Sequence, residues 1–140
     1  MPEFRLTQQQ RNLIKQHANN CCEYCKSQAK FSPDSFSIEH IIPRSKGGTN
    51  DLDNLAVACQ GCNNFKYSHT QAIDPITGEL AQLYHPRQQD WQDHFTWSRN
   101  LTQMLGLTPI GRATIERLRL NREGVVNLRQ ALASIDQHPP

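Results

Sequence analysis

The spacing of hydrophobic residues predicts two helices and a strand in the first half of the chain. Residues 7–19 are mostly polar with a thin apolar stripe, and Thr7 can cap the start of a helix there. Residues 35–38 alternate polar and apolar side chains after a Pro-Asp turn, which is typical of a strand. Apolar residues within 52–58 lead into a second predicted helix, which begins near Cys62. This half therefore mixes helix and strand.

The second half of the chain predicts an aromatic cluster followed by two helices. A turn containing proline and glycine at 74–78 precedes several aromatic residues between positions 84 and 97. Thr108 can cap a helix that starts with the following proline, and Asn121 can cap another. Clustered aromatic residues usually belong to a core. We therefore expect residues 71–140 to form an extension that packs on the first half.

Composition indicates one small domain with a modest hydrophobic core. The 140 residues are 36% hydrophobic, with a mean hydropathy of −0.70, so a structural metal is expected to add to the stability. No apolar run approaches the roughly 18 residues that a membrane span needs, and the N-terminus shows no leader-like apolar segment. The expected location is the cytoplasm, where cysteines stay reduced and more often bind metal than pair.

The net charge of +2 is too small to indicate a nucleic-acid partner by itself. Its distribution adds one feature, an arginine-rich stretch that consists of Arg112, Arg117, Arg119, Arg122 and Arg129. Arginine makes bidentate contacts with phosphate, so this stretch can form a nucleic-acid-binding face. A solvated helix face explains the same pattern equally well.

Two Cys-x-x-Cys pairs predict a zinc site. The pairs are Cys22 with Cys25 and Cys59 with Cys62, and this spacing lets both thiolates of a pair reach one tetrahedral ion. A single pair also suits a redox centre, but two pairs in one short chain favour structural zinc with four sulfur ligands. Cys21 is an alternative to Cys22, which has the symmetric spacing.

The segment between the cysteine pairs carries an ordered polar motif that continues past the second pair. Its members, in chain order, are Glu39, His40, Gly47, Gly48, Asn54, Asn63 and Lys66. A Glu-His pair alone is common by chance, whereas the whole ordered set around a cysteine clamp is specific. The motif is therefore the strongest functional signal in the chain.

The ordered set resembles the HNH endonucleases, a family with a ββα-metal fold, in the form that carries a four-cysteine zinc clamp. The resemblance covers residues 21–67, and the second half looks like the extension of small bacterial HNH proteins, including cyanobacterial ones. It implies an α+β chain with an N-terminal helix at 1–20, a nuclease core with the clamp at 21–70, and a helical C-terminal extension at 71–140 that packs on the core.

By this resemblance, the chain hydrolyses phosphodiester bonds with one divalent cation, Mg²⁺ or Mn²⁺, in addition to the structural zinc. His40 is the expected general base that activates a water, and Asn54 is expected to orient His40 across the loop. Asn63 and Glu39 are expected to hold the cation through oxygen atoms. The family often has His where Asn63 stands and commonly has Asp where Glu39 stands.

Arg44 and Lys66 are candidate contacts to nucleic-acid phosphates, and solvated side chains are the equal alternative at both positions. The function hypothesis is a metal-dependent DNA endonuclease that leaves 5′-phosphate and 3′-hydroxyl ends. Its alternatives are a zinc-stabilised nucleic-acid-binding module without catalysis and a zinc domain for protein interaction. RNA stays open as a substrate, as do the cleaved sequence and the choice between monomer and homodimer.

Overall fold

A computed structural model describes residues 5–140, so the first four residues of the predicted N-terminal segment lie outside the described part. Helix α1 (Gln8–His17) begins after Thr7, whose hydroxyl accepts a hydrogen bond from the Gln10 amide at 3.1 Å. The Gln10 side chain accepts one from the Thr7 amide at 2.9 Å. This capping box confirms the predicted helix start. Ile14 turns inward from α1 and packs on the hairpin that follows.

Strands β1 (Ser37–His40) and β2 (Leu55–Ala58) form an antiparallel hairpin, and helix α2 (Gln60–Lys66) follows directly. β1 begins two residues after the alternating stretch at 35–38 begins and continues to His40, and its Glu39 pairs with Lys66 of α2. β2 is buried along its whole length between neighbouring elements. The order β1–β2–α2 confirms the α+β, ββα arrangement expected from the sequence.

The second half contains two short hairpins besides the expected helices. Its elements are β3 (Gln71–Ile73), β4 (Leu80–Gln82), α3 (Trp91–His94), β5 (Phe95–Trp97), β6 (Met104–Gly106), α4 (Pro109–Leu118) and α5 (Glu123–Ala133). Thr108 caps α4 through its hydroxyl, as predicted. Asn121 does not cap α5, and that prediction is wrong. Its side chain instead bonds the backbone amide and carbonyl of Met104 at 2.7 and 2.9 Å, which ties β6 to the end of α4.

One hydrophobic cluster joins the cysteine pairs to the second half of the chain. Cys22 and Cys62 lie in the same cluster as Phe95, Met104 and Leu118, all of them buried. The ring of Phe95 stacks on a tryptophan, Trp91, with 5.5 Å between the ring centroids. The aromatic stretch is therefore part of a core that both halves share.

An internal ion pair fastens the turn at 74–78 to helix α4. The carboxylate of Asp74 is buried and accepts hydrogen bonds from Nε and Nη2 of Arg112 at 2.9 and 2.8 Å. These bonds hold the pKa of Asp74 well below its usual range.

None of the helices within residues 5–140 is long and apolar enough to cross a bilayer.

Candidate functional site

The two Cys-x-x-Cys pairs come together in one buried cluster. The sulfur atoms of Cys22, Cys25, Cys59 and Cys62 all lie within 4.8 Å of one another, and none of them is in a disulfide. Four sulfurs at about 2.3 Å from a tetrahedral zinc stand about 3.8 Å apart. The Cys25 and Cys59 sulfurs are 3.7 Å apart. The cluster therefore fits a zinc ion in size, ligand type and number.

Each pair is shaped by its own backbone. The amide of Cys25 donates to the Cys22 sulfur at 3.5 Å, and the amide of Cys62 donates to the Cys59 sulfur at 3.4 Å. Lys26 adopts a left-handed backbone with φ of 65° directly after the first pair, which lets the chain turn away from the sulfurs. Both pairs thus present their sulfurs to one point.

Burial disfavours the ionised form of a thiol in this cluster, and a bound cation favours it. Desolvation raises the pKa of the Cys22 thiol well above its ordinary value. A coordinated metal reverses this preference, because its charge stabilises the thiolate.

Cys21 lies outside the cluster, and its thiol donates a hydrogen bond to the Asn19 carbonyl at 3.3 Å. Of the two alternatives for the first ligand, the structure selects Cys22.

His40 ends strand β1 and is partly exposed at the edge of the long loop between β1 and β2. Its Nε2 lies 2.8 Å from Oδ1 of Asn50, a residue of that loop. Because an amide oxygen only accepts hydrogen bonds, this contact favours, for a neutral imidazole, the tautomer with the proton on Nε2 and the lone pair on Nδ1. A histidine in this tautomer is suited to accept a proton from water.

Asn54 holds the loop that carries Asn50. Its Oδ1 accepts from the Ile42 amide at 2.9 Å, and its Nδ2 donates to the carbonyls of Ile42 and Thr49 at 3.0 and 2.8 Å. Thr49 is the neighbour of Asn50. Asn54 therefore holds the backbone next to Asn50, and Asn50 contacts the His40 ring directly.

The loop between β1 and β2 requires glycine at position 48. A Cβ atom on Gly48 would lie 1.7 Å from the Ile42 carbonyl oxygen and 2.9 Å from the Asn54 Nδ2 atom. No side chain fits there without breaking the Asn54 contacts. The contacts between Asn54 and Ile42 therefore require glycine at position 48, the second glycine of the Gly-Gly pair.

Replacing Asn54 by alanine is expected to loosen the loop between β1 and β2 and to lower stability. The change removes the side-chain partner of backbone groups at Ile42 and Thr49, and one such hydrogen bond typically contributes about 0.5–1.5 kcal/mol to the free energy of unfolding. Urea unfolding measures that loss, and amide hydrogen exchange of residues 42–50 measures the loosening. Asn64, an exposed asparagine on α2, supplies the matched control, Asn64→Ala. Equal exchange in both variants would contradict the role given to Asn54.

Glu39 and Lys66 are placed differently from the prediction. Both side chains are buried, and Nζ of Lys66 lies 3.2 Å from Oε2 of Glu39. The Tyr24 hydroxyl donates to the other carboxylate oxygen. Nζ also donates to the Ile41 carbonyl at 2.8 Å. Lys66 therefore stabilises the end of β1 from inside, and a phosphate contact by Lys66 is inconsistent with this burial.

Burial shapes the acidity of Glu39. Desolvation raises the pKa of its carboxyl above the usual value, and the nearby ammonium of Lys66 opposes that shift. With both oxygens engaged, Glu39 does not present a vacant ligand atom to solvent. Sequence reasoning missed this ion pair because its partners lie on different elements far apart in the chain.

Asn63 and Arg44 occupy positions that solvent can reach. Asn63 is half-buried in the first turn of α2, directly after Cys62, and its side chain makes no hydrogen bond to another residue within 5–140. It stands three residues before Lys66, which places the two on one side of the helix. Arg44 is exposed in a short 3₁₀ turn that follows β1. Both are therefore open to ligands from outside the chain.

The arginines of residues 112–129 mostly turn toward the protein instead of forming one exposed face. Arg112 bonds the Asp74 carboxylate, Arg117 bonds the Phe65 carbonyl, and Arg119 lies over the Phe65 ring. Arg122 contacts the sulfurs of Cys59 and Cys62, and Arg129 donates to the carbonyls of Cys25, Thr102 and Leu120. The stretch thus does not form one continuous exposed face, and Arg119 is its exposed member. Its contact with the cysteine sulfurs was not foreseen from the sequence.

Comparison with known families identifies the segment that holds the site. Residues 22–69 match the model of the HNH endonuclease family, and this range contains both cysteine pairs and the whole polar motif. The match covers less than half of the chain and ends before the second half begins. No curated protein matches the chain. The family resemblance found in the sequence is confirmed for residues 22–69, hereafter the HNH domain.

Proposed function

From the HNH domain at residues 22–69 we infer that the protein is a metal-dependent DNA endonuclease. The observation that carries this proposal is the setting of His40 at the end of β1. Asn50 fixes its tautomer, and Asn54 fixes the loop that carries Asn50. The two cysteine pairs flank the hairpin in the sequence, and Asn63 directly follows Cys62 in α2.

We propose that His40 is the general base. Its Nδ1 takes a proton from a water molecule, and the resulting hydroxide attacks the phosphorus of a DNA phosphodiester. The Nε2 proton stays on the ring because Asn50 Oδ1 accepts it as a hydrogen bond. Cleavage on the 3′-oxygen side leaves 5′-phosphate and 3′-hydroxyl ends, as the family resemblance implies.

Asn63 is the proposed protein ligand for the catalytic cation, Mg²⁺ or Mn²⁺. A bound divalent cation would polarise the phosphate and stabilise the leaving oxygen. Asn63 offers an amide oxygen from a partly exposed position, which suits a hard cation that keeps several waters. Glu39 can become a second ligand only when Lys66 leaves its carboxylate. Otherwise Glu39 acts by holding Lys66 beneath the backbone of His40 and Ile41.

The cysteine cluster is proposed to hold a structural zinc. Four thiolates fill the coordination sphere of zinc and leave no position for substrate. Since Cys62 is directly followed by Asn63, zinc binding would also fix the first turn of the helix that carries the cation ligand. Arg44, exposed just beyond β1, is the proposed contact to a DNA phosphate.

One observation favours a second candidate, a zinc-stabilised nucleic-acid-binding module without catalysis. The ion pair between Lys66 and Glu39 places an ammonium group on the carboxylate that was predicted to bind the cation. If this pair never opens, Glu39 is unable to bind the cation and Asn63 must serve without it. The two candidates differ in one property, cleavage of the bound nucleic acid.

A substrate panel separates the two candidates. The full-length protein is incubated with supercoiled plasmid, linear duplex, branched and single-stranded DNA, and with RNA, each with Mg²⁺ or Mn²⁺. The endonuclease proposal expects cut products on at least one DNA whose ends are resealed by a ligase that needs 5′-phosphates. Tight binding of every substrate without a cut would support the binding module instead. Cleavage of RNA alone would overturn DNA as the substrate.

A further inference from the structure

We propose that Arg122, which lies outside the HNH domain, is part of the zinc centre and controls how tightly that centre holds its metal. Nη2 of Arg122 lies 3.4 Å from the Cys59 sulfur and 3.6 Å from the Cys62 sulfur, and Nη1 lies 3.6 Å from the Cys62 sulfur. The guanidinium therefore faces both sulfurs of the second pair. The inference rests on the structural zinc proposed above and is independent of DNA cleavage.

The charge of the centre gives this contact a function. Four thiolates around one Zn²⁺ leave a net charge of about −2 in a buried position, since each thiolate contributes one negative charge. Hydrogen bonds from a cation stabilise such sulfurs more than neutral donors do. Partners of this kind around metal ligands typically change metal affinity 10- to 100-fold. Arg122 is therefore expected to act on the metal through Cys59 and Cys62.

Gly61 makes room for the guanidinium. This glycine stands between the two cysteines of the second pair, and a Cβ atom there would lie 2.6 Å from Nη2 and 3.1 Å from Cζ of Arg122. The atoms in the way belong to the end of a flexible side chain. An alanine at 61 would therefore displace the guanidinium while leaving the backbone of α2 in place.

Other contacts hold Arg122 in position over the sulfurs. Nη1 donates to the carbonyls of Leu118 and Arg119, both at 3.2 Å, at the end of α4. The Cζ atom lies 5.5 Å from the centroid of the Phe65 ring. The planar fork of arginine serves sulfurs and carbonyls together, which the single ammonium of lysine does not reproduce. The second half of the chain thus contributes a positioning residue to the metal centre of the first half.

Arg119 provides a matched control. Its guanidinium lies over the same Phe65 ring, 5.1 Å from the centroid, and it is exposed three residues before Arg122. Unlike Arg122, it makes no hydrogen bond to a cysteine sulfur within residues 5–140. Arg119→Gln therefore removes a charge from the same place without touching the metal centre.

The test compares the full-length wild-type protein with Arg122→Gln, Gly61→Ala and Arg119→Gln, each loaded with Zn²⁺ or with Co²⁺. The first readout is the zinc dissociation constant in competition with a chelator. The second is the sulfur-to-cobalt charge-transfer band, because loss of a hydrogen bond raises the energy of the sulfur electrons and moves the band to longer wavelength. A merely structural role of Arg122 would not move this band in Gly61→Ala.

We expect Arg122→Gln and Gly61→Ala to weaken zinc binding about 10- to 100-fold and to shift the cobalt band, with Arg119→Gln like wild type. If Arg122→Gln fails to fold, Gly61→Ala still decides, since alanine favours the helix at this position. Wild-type affinity and an unmoved band in Gly61→Ala would overturn the role of Arg122. A wild-type protein without zinc would overturn the zinc proposal as well, whereas absence of DNA cleavage alone would not affect either readout.

Discussion

Replacement of His40 by alanine is expected to lower the rate of DNA cleavage by about 10²- to 10⁴-fold, the contribution that a positioned general base typically makes. The imidazole of His40 lies at the end of β1, and its Nε2 atom is 2.8 Å from Oδ1 of Asn50. This contact orients the ring and leaves Nδ1 as the proposed proton acceptor. Alanine removes the proton acceptor and leaves the hairpin backbone intact. The rate is measured as conversion of supercoiled to nicked plasmid in single-turnover conditions with Mg²⁺ or Mn²⁺.

The effect should be confined to the chemical step. Since His40 is partly exposed and is not a member of the buried core, zinc content and melting temperature should stay close to those of wild type. His17→Ala, at an exposed histidine on α1, is the control for loss of an imidazole elsewhere. Equal cleavage rates for wild type and His40→Ala with both metals would refute the assignment of the base.

Replacement of Cys62 by serine is expected to abolish the fold of the HNH domain. Structural zinc contributes about 10–16 kcal/mol in zinc-finger peptides, which is as large as the whole stability of a typical domain, about 5–15 kcal/mol. Cys62 is fully buried, and its sulfur faces both the cysteine cluster and Arg122. Loss of this ligand is expected to release zinc, and the hydrophobic cluster that contains the cysteines then loses its main cross-link.

Elemental analysis and circular dichroism measure the outcome for the same sample. We expect wild type to hold one zinc per chain and Cys62→Ser to hold far less, with no cooperative thermal transition. Cys21→Ser is the matched control, because Cys21 is a buried cysteine whose sulfur lies outside the cluster. A Cys62→Ser protein with full zinc content and a wild-type melting curve would show that the cluster is not the metal site.

The parts of the site that lie close together in the sequence were predictable. The cysteine pairs bring their ligands together by local spacing, and the match of residues 22–69 to the HNH family agrees with the motif around His40. The zinc-type cluster and the ββα order follow from patterns within short segments. Local chemistry therefore determined what could be read from the sequence.

Contacts between distant segments were not predictable. Lys66 reads as a solvated helix lysine, and only the folded chain shows that Glu39 and two carbonyls draw it inside. Arg122 lies 60 residues after Cys62 in the sequence, so no spacing rule connects the two. Both cases involve charged side chains, whose burial depends on a partner that the sequence pattern does not identify.

The short strands of the second half escaped prediction for a different reason. Each strand from β3 to β6 has three residues, too few to show an alternation of polar and apolar positions. The helices α4 and α5 are long enough to show an apolar face and were expected. Only the residue that caps α5 differs, because Asn121 is used to hold Met104.

In the proposed mechanism, zinc holds the fold and a second, exchangeable cation supports catalysis. The most direct measurement is plasmid cleavage by protein of known zinc content, first without added metal and then with Mg²⁺ or Mn²⁺. We expect one zinc per chain throughout, no cleavage before the addition, and cleavage after it. Equal cleavage by the zinc-loaded protein without added Mg²⁺ or Mn²⁺, or no cleavage with either metal, would contradict the account.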